Sequence, residues 1–414
     1  MTGNSSVHSK GACRVCGGTV EEFLDLGSQP ISQAFLEPRA TEKEFTFPLT
    51  IGRCASCMMV QLLHDVPRHL MFHREYPFHS SSSQAMQAYF ADVARTLLRT
   101  ELTDDDPFIV EIGCNDGIML GTIKDAGVRH LGFEPSGGVA DEARAAGVRV
   151  RGDFFEEGTA KEVCAAEGTA DVIYSANTLC HIPYLDSVMR GVDALLGPNG
   201  VFVFEDPYLG DVVTKTSFDQ IYDEHFYLWS AESVRATAAR FGFELVDVLR
   251  LSAHGGEVRF TLARAGTRTP APAVAELLAE EQQRGLSELA TLRRFAANVN
   301  GIRDDLVRVL TDLRAQGRRV VGYGATAKSA TVLNYCGIGP ELVEFVCDTT
   351  LEKHGKLTPG QHIPIRPPAA FADPYPDYAL LFAWNHAEEI MAKEPAFTEA
   401  GGRWLLYVPD VHVV

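Results

Sequence analysis

One stretch constrains this chain more than any other: five strand-like segments fall in fixed order between Phe108 and Tyr208. In PFIVEIGCNDGIML, Phe108–Ile112 reads as a buried strand, the glycine-bearing segment as a turn and the continuation as a helix, which is the opening β-turn-α of a doubly wound sheet. Gly113 and Gly117 let the backbone pass close to a ligand, and Glu111 at the strand end is placed to meet a cationic group. HLGFEPS sets Glu134 at the end of a second strand, 23 residues after Glu111, where a carboxylate accepts both hydroxyls of a ribose. VRGDFF then puts Asp153 and Phe154 after a third strand, and ADVIYSANTLCHIP ends a fourth near Asn177 and His181. DALLGPNGVFVFEDPY supplies a helix end, a Pro-Asn-Gly turn and a fifth strand at Val201–Phe204.

A nicotinamide fold wants glycine two residues after the first glycine of its turn, whereas Cys114-Asn115-Asp116 fills that gap with side chains and an acid. A pyrophosphate is repelled there. The acids Glu111, Asp116, Glu134 and Asp153 suit a cationic, hydroxyl-rich ligand instead. The ordered segments from 109 to 208 resemble the class I methyltransferases that use S-adenosylmethionine (SAM), and that resemblance implies a cofactor wall of Glu111, Gly113, Asn115, Gly117, Glu134, Asp153, Phe154, Asn177 and His181.

Upstream, Cys13-Arg-Val-Cys16 and Cys54-Ala-Ser-Cys57 form two Cys-x2-Cys pairs with 37 residues between them, the spacing of a tetrahedral Zn2+ site. Four thiolates leave no open coordination position, so the expected metal is structural, standing in for a core that a short segment cannot build. A nucleic-acid zinc ribbon is the sharper alternative, and the segment is not basic enough to favour it. From Leu70 to Leu98 a polar Ser80–Ser83 run precedes apolar residues at helical spacing, with Tyr76, Phe78 and His79 on the loop before it.

Beyond the fifth strand, TKTSFDQIYDEHFYLWSAESV gathers Tyr222, Asp223, Glu224, His225, Phe226, Tyr227 and Trp229 ahead of a helix capped by Ser230. That position is at the carboxyl edge of the sheet, where open α/β folds bind substrate. After LSAHGGEVRFTLAR and the linker TPAPAVAE, the span Glu276–Gly317 reads as one long helix. It leads into RRVVGYGATAKSATVLNYCG, a second strand-turn-helix in which Gly322, Gly324 and Ala327 imitate a dinucleotide loop, while VEFVCD sets Asp348 24 residues past Gly324. The helix start around Ala325–Ser329, with Lys328, offers N–H groups and a cation to a phosphate. The expected class is α/β, as three domains: a small zinc-binding domain at 1–69, a central SAM-binding Rossmann-like domain at 70–266, and a second Rossmann-like, nucleotide-sugar-binding domain at 267–414.

These motifs in this order, the paired cysteines, EIGCNDG, YDEHFY and GYGATAKS, resemble the sugar C-methyltransferases of actinomycete deoxysugar pathways, in particular those that methylate C-3 of a dTDP-3-amino-4-ketohexose in the tetronitrose route. The resemblance implies SAM, bound zinc and a dTDP-linked 4-ketosugar between the second and third domains. It makes His225 the general base, with Tyr222, Glu224 and Tyr76 around it and His181 as the rival base. It gives Tyr76, Phe78, His79, Tyr222, Lys328, Ser329, Trp384 and Asn385 to the substrate, Lys328 and neighbouring N–H groups taking the diphosphate. With 37 basic and 55 acidic residues the net charge is −18, which opposes broad attachment to nucleic acid or anionic lipid. The remaining rivals are a nucleic-acid methyltransferase, for which Glu205-Asp206-Pro207-Tyr208 is a loose signature, and a non-catalytic SAM or nucleotide sensor. A cytoplasmic monomer without membrane or nucleic-acid partners is expected; the amino terminus lacks a secretory layout and no apolar run is long enough to span a bilayer.

Overall fold

The computed structural model describes residues 11–39, 43–71 and 79–414, so Tyr76 and Phe78 lie outside the described residues. The chain begins with an antiparallel meander of β1 (Val20–Pro30), β2 (Thr46–Cys54) and β3 (Val60–Leu62). Phe47, Leu49 and Ile51 alternate inward along β2, the two-residue period of a half-buried strand.

The helix Gln84–Thr100 buries Phe90, Val93, Ala94 and Leu97 at helical spacing against Ile109, Met119 and Ile123. Then come β4 (Phe108–Ile112), β5 (Arg129–Phe133), β6 (Val150–Arg151), β7 (Ala170–Ala176) and β8 (Leu196–Pro207), all paired in parallel. Every residue of β4 is buried, because helices cover both faces of a parallel sheet. The two-residue β9 (Tyr227–Leu228) leaves this sheet and pairs with β3 of the amino-terminal meander. β10 (Phe243–Leu251) and β11 (Glu257–Arg264) return, giving the order β10-β11-β8-β7-β4-β5-β6 with β11 antiparallel to both neighbours. Strand order reverses direction between β4 and β7, which opens a crevice at their carboxyl ends.

The expected single helix over Glu276–Gly317 is two helices, Pro272–Gln283 and Leu289–Ala315. Gly285, at φ +58°, stops the first, and Leu286 N–H closes on the Glu281 carbonyl at 2.9 Å, the left-handed exit that glycine favours. The first of the two packs on β10 and on the helix Ala231–Arg240. Its buried Glu281 carboxylate accepts from the N–H groups of Ala231 and Glu232 at 2.7 and 3.1 Å and from the Tyr208 hydroxyl at 3.0 Å.

The final sheet comprises β12 (Val320–Tyr323), β13 (Val346–Cys347), β14 (Ile365–Arg366), β15 (Tyr378–Leu381), β16 (Arg403–Leu406) and β17 (His412–Val413), in the order β14-β13-β12-β15-β16-β17. Only β17 is antiparallel. This sheet too reverses its order, between β12 and β15. One continuous apolar core links the three sheets, from Leu24 and Ile51 through Phe202 and Phe204 to Val332 and Leu405. No described helix is long and apolar enough to cross a membrane.

Candidate active site and cofactor sites

A cavity of about 730 Å³ opens at the carboxyl ends of both parallel sheets, with all three parts of the chain in its walls. On the middle sheet its floor is the turn after β4. Glu134 clamps that turn to the end of β5: one carboxylate oxygen accepts from the Asn115 N–H at 3.0 Å and the other from the Ser136 N–H at 2.7 Å. Gly113 is left-handed at φ +74°, and a Cβ there would collide with Thr178. The Ser80 and Ser81 N–H groups fold onto the turn, donating to the side chains of Asn115 and Asp116 at 2.9 and 2.8 Å.

Gly113, Asn115, Glu134, Asp153, Phe154, Asn177 and His181 line the cavity. Glu111 and Gly117 stand behind that wall. A Cβ on Gly117 would press on Ala143 at 2.9 Å, so that glycine serves helix packing. Glu111 is buried, and burial first, then the carboxylates of Asp116, Glu134 and Glu205, push its pKa well up. One of its oxygens has no hydrogen-bond partner among the described residues. An under-satisfied acid behind a glycine cradle matches the positive sulfonium and ammonium groups of SAM. At the far end Arg68 lies 4.2 Å from the Phe154 ring centroid and 5.2 Å from that of Tyr184, with Glu156 as its ion-pair partner at 2.7 Å.

Beside the cofactor wall, the segment Tyr222–His225 turns tightly, His225 N–H donating to the Tyr222 carbonyl at 3.0 Å, so both side chains meet in the cavity. His225 Nδ1 lies 2.7 Å from the Gln220 carbonyl and must carry the proton; Nε2 is then the acceptor, 2.8 Å from the Tyr222 hydroxyl that donates to it. The ring stacks on His181 at 5.1 Å. Burial, then the neighbouring His181 and Lys328, hold the pKa of His225 well below the ordinary histidine range, and burial pulls His181 down to about 3. Both imidazoles are therefore neutral near pH 7.

Two neighbours of His225 are held from the amino-terminal part: Ser32 N–H donates to Asp223 at 3.0 Å and Gln33 Nε2 to Glu224 at 3.3 Å. Cys180, His181 and His225 also bring three metal-capable atoms within 4.8 Å of one another, but both His225 nitrogens are already engaged. In the Glu205-Asp206-Pro207-Tyr208 run only Pro207 reaches the cavity. Glu205 is buried on Arg259 Nε at 2.6 Å and the Tyr174 hydroxyl at 2.9 Å, which removes it from amino-group chemistry.

The opposite wall repeats the middle sheet's device. Asp348, at the end of β13, accepts from the Ala325 N–H at 2.7 Å with one oxygen and from the Thr350 N–H at 2.8 Å with the other. Lys328, Asn385 and His386 line this wall, as do Thr349–Lys353. Ser329 does not: it is buried, its N–H donating to Thr326 Oγ1 at 3.2 Å and its hydroxyl to the Thr326 carbonyl at 2.6 Å. Trp384 also stands behind the wall, its Nε1–H given to Asp219 at 2.6 Å. His79 lines the rim, 3.2 Å from Glu142. Gln220, Gln33, Arg68 and His254 were not singled out by spacing; Gln220 alone had a signal, its place in the polar-aromatic run around His225.

In the amino-terminal part, Cys13 and Cys57 place their sulfurs 3.6 Å apart, Cys16 and Cys54 3.4 Å, and all four lie within 4.8 Å. A tetrahedron with Zn–S bonds of about 2.3 Å separates its sulfurs by about 3.8 Å. Backbone N–H groups of Val15, Gly18 and Ser56 point at the sulfurs at 3.4 Å, as thiolates in a knuckle require. These residues fit zinc.

Three family models match consecutive stretches of the chain: a zinc binding domain over residues 13–72, a methyltransferase domain over 83–248 and a C-methyltransferase C-terminal domain over 252–409. C-methyltransferase NovU of Streptomyces niveus is 35% identical over 407 residues, covering 97% of this chain and 96% of that protein. A ubiquinone biosynthesis O-methyltransferase of Azorhizobium caulinodans is 27% identical over 99 residues, 23% of this chain and 38% of that protein. A solved SAM-dependent methyltransferase from Anabaena variabilis aligns with 42% of this chain and 83% of its own at 19% identity and a TM-score of 0.34.

Proposed function

This chain belongs to the C-methyltransferase family that includes NovU and is itself a SAM-dependent enzyme with a zinc-binding amino-terminal domain; on that premise we propose that it methylates C-3 of a dTDP-linked 3-amino-4-keto deoxysugar. One observation carries the reading. A neutral imidazole, fixed in one tautomer by a backbone carbonyl, stands in the cavity that both Rossmann-like sheets share.

A carbon beside a ketone holds a weakly acidic proton, so the reaction needs a base, a stabiliser for the enolate and an electrophile. His225 Nε2 is the base. As the Tyr222 hydroxyl turns from Nε2 to the sugar, Nε2 takes the C-3 proton, the C–H electron pair passes into the enolate, and the ring becomes imidazolium. The Nδ1–H bond to Gln220 strengthens at that moment, because a charged donor makes the stronger hydrogen bond. When bound, SAM would supply the methyl group from its positive sulfur to the enolate carbon, the S–C electron pair remaining on sulfur in S-adenosylhomocysteine. Gly113, Asn115, Glu134, Asp153, Phe154 and Asn177 hold and frame that cofactor, with Glu111 buried behind them and Gly117 keeping its turn packed; His181 supports His225 by stacking. Glu224 orients the sugar, His79 closes the rim, and Asn385 with Thr349 and Thr350 receives the nucleotide.

Incubation with a dTDP-4-ketosugar in deuterated water tests this. Wild-type protein is expected to exchange the C-3 proton and His225→Ala to lose the exchange; exchange that survives in His225→Ala passes the role of base to His181, and none in wild type refutes the ketosugar chemistry.

A further inference from the structure

Lys328 stands on the first turn of the helix Ala327–Cys336, a placement that suggests a diphosphate anchor, but its amine is directed elsewhere. Nζ donates to the His254 carbonyl at 3.2 Å and sits 5.8 Å from the Trp384 ring centroid. The same His254 carbonyl accepts from Gln220 Nε2 at 2.7 Å, and the Gln220 carbonyl is the one that fixes His225. One glutamine thus ties the lysine and the histidine to a common frame. The carbonyl is presented by a tight turn: His254 is left-handed at φ +48°, followed by Gly255 and Gly256 at +97° and +125°. A left-handed non-glycine residue held in place at a cavity edge is backbone shaped for a task.

Among the described residues no carboxylate pairs with Lys328 within the range of an ion pair. Its nearest acids act at longer range, Asp219 already bonded to Trp384 and Tyr407 and Glu257 buried beneath. Two of the three ammonium hydrogens are left for the cavity, which Lys328, His225, Tyr222 and His254 line together.

We propose that Lys328 places its ammonium on the ketone oxygen as the enolate forms, acting at the reacting end of the sugar and not at the diphosphate. This rests on the ketosugar reading above. The proton lost from C-3 goes to His225, the negative charge gathers on the former ketone oxygen, and Lys328 neutralises it without giving up a proton. Base and countercharge then share one rigid support, so the charge separated by proton removal is met on both sides at fixed distance. Burial lowers the pKa of Lys328, and the Asp219 carboxylate opposes that shift.

Lys328→Ala and Lys328→Arg separate the two roles, read by calorimetry with dTDP alone and with S-adenosylhomocysteine, and by solvent exchange and turnover with a dTDP-4-ketosugar. Removing one preorganised stabiliser of an oxyanion costs about 10²- to 10³-fold in kcat. The alanine variant is expected to lose turnover and exchange on that scale, with dTDP and S-adenosylhomocysteine affinities within about twofold and with partial recovery in the arginine variant. If dTDP affinity instead falls tenfold or more while turnover at saturating sugar persists, Lys328 is a phosphate anchor and the proposal is wrong. Should the alanine variant fail to bind S-adenosylhomocysteine, the arginine variant decides by the same two readings. Absence of exchange in the wild type would overturn the ketosugar reading itself, a result distinct from either variant's behaviour.

Discussion

The two Rossmann-like sheets that face each other across the cavity fasten their glycine turns in the same way and then diverge. Glu134 and Asp348 each accept one N–H from the turn after the sheet's first strand and one from two residues further along their own loop. What surrounds the clamps differs in sign. Around the first turn lie Glu111, Asp116 and Asp153; around the second lie Lys328 and Lys353, the latter donating to the Ala325 carbonyl at 2.9 Å. On the function proposed above, one backbone solution would serve the cofactor on one wall and the sugar nucleotide on the other, with a few side chains setting the charge of each.

His225 belongs to neither turn, and its removal is expected to have the largest effect. His225→Ala should lower kcat by about 10³-fold, within the span of general-base catalysis, with affinities for S-adenosylhomocysteine and dTDP near wild type; a parallel loss of either affinity would make His225 a binding residue. Next come the clamps. Hydrogen bonds to a charged group contribute about 1.5–3 kcal/mol, so Glu134→Ala should weaken S-adenosylhomocysteine binding about 10- to 100-fold and leave dTDP alone, with Asp348→Ala doing the reverse. Equal losses of both ligands in both variants would dissolve the contrast between the walls.

A smaller effect lies in pH. Burial holds His225 and His181 below the unfolded histidine value of about 6.5, so His225 stays an unprotonated base as pH falls through 6, and kcat/KM should keep its plateau further into acid than a free imidazole allows. A rate that halves at pH 6.5 would contradict this. In the unfolded chain these histidines do protonate there, so they erode stability as pH falls below about 6.5. The smallest effect concerns Glu257, which burial, then Glu205 and Asp206, raise to about 8. The folded protein keeps a proton that the unfolded chain sheds near pH 4, so this residue costs stability as pH rises from about 5 to 8. Glu257→Gln should therefore gain a few degrees in Tm over wild type at pH 8 and nothing at pH 5, by scanning calorimetry.

Much of this was legible in the chain because the signals were local. Phe108–Ile112 is the strand its apolar run predicts, Ser230 caps its helix by accepting from Ser233 N–H at 3.1 Å, and the glycine-to-acid spacings put Glu134 and Asp348 at their strand ends. Spacing also paired the four cysteines. What it could not give were contacts set by tertiary structure. β9 is two residues long and has no period to read, the break at Gly285 hides inside a helical pattern, and the approach of Arg68 to Phe154 joins residues 86 positions apart. Ser329 and Trp384 carry plausible side chains, yet each is turned inward by a bond, to Thr326 and to Asp219, that spacing does not reveal.

The loan of β9 to the amino-terminal meander ties metal to chemistry. Leu62 N–H donates to the Phe226 carbonyl at 3.0 Å, and Arg14, between the first two cysteines, rests 5.5 Å from the Phe226 ring, one residue from His225. The knuckle is thus a splint for the strand that follows His225. A chimera that swapped residues 1–69 between relatives at an apparent module border would misalign proton removal while leaving every catalytic side chain in place.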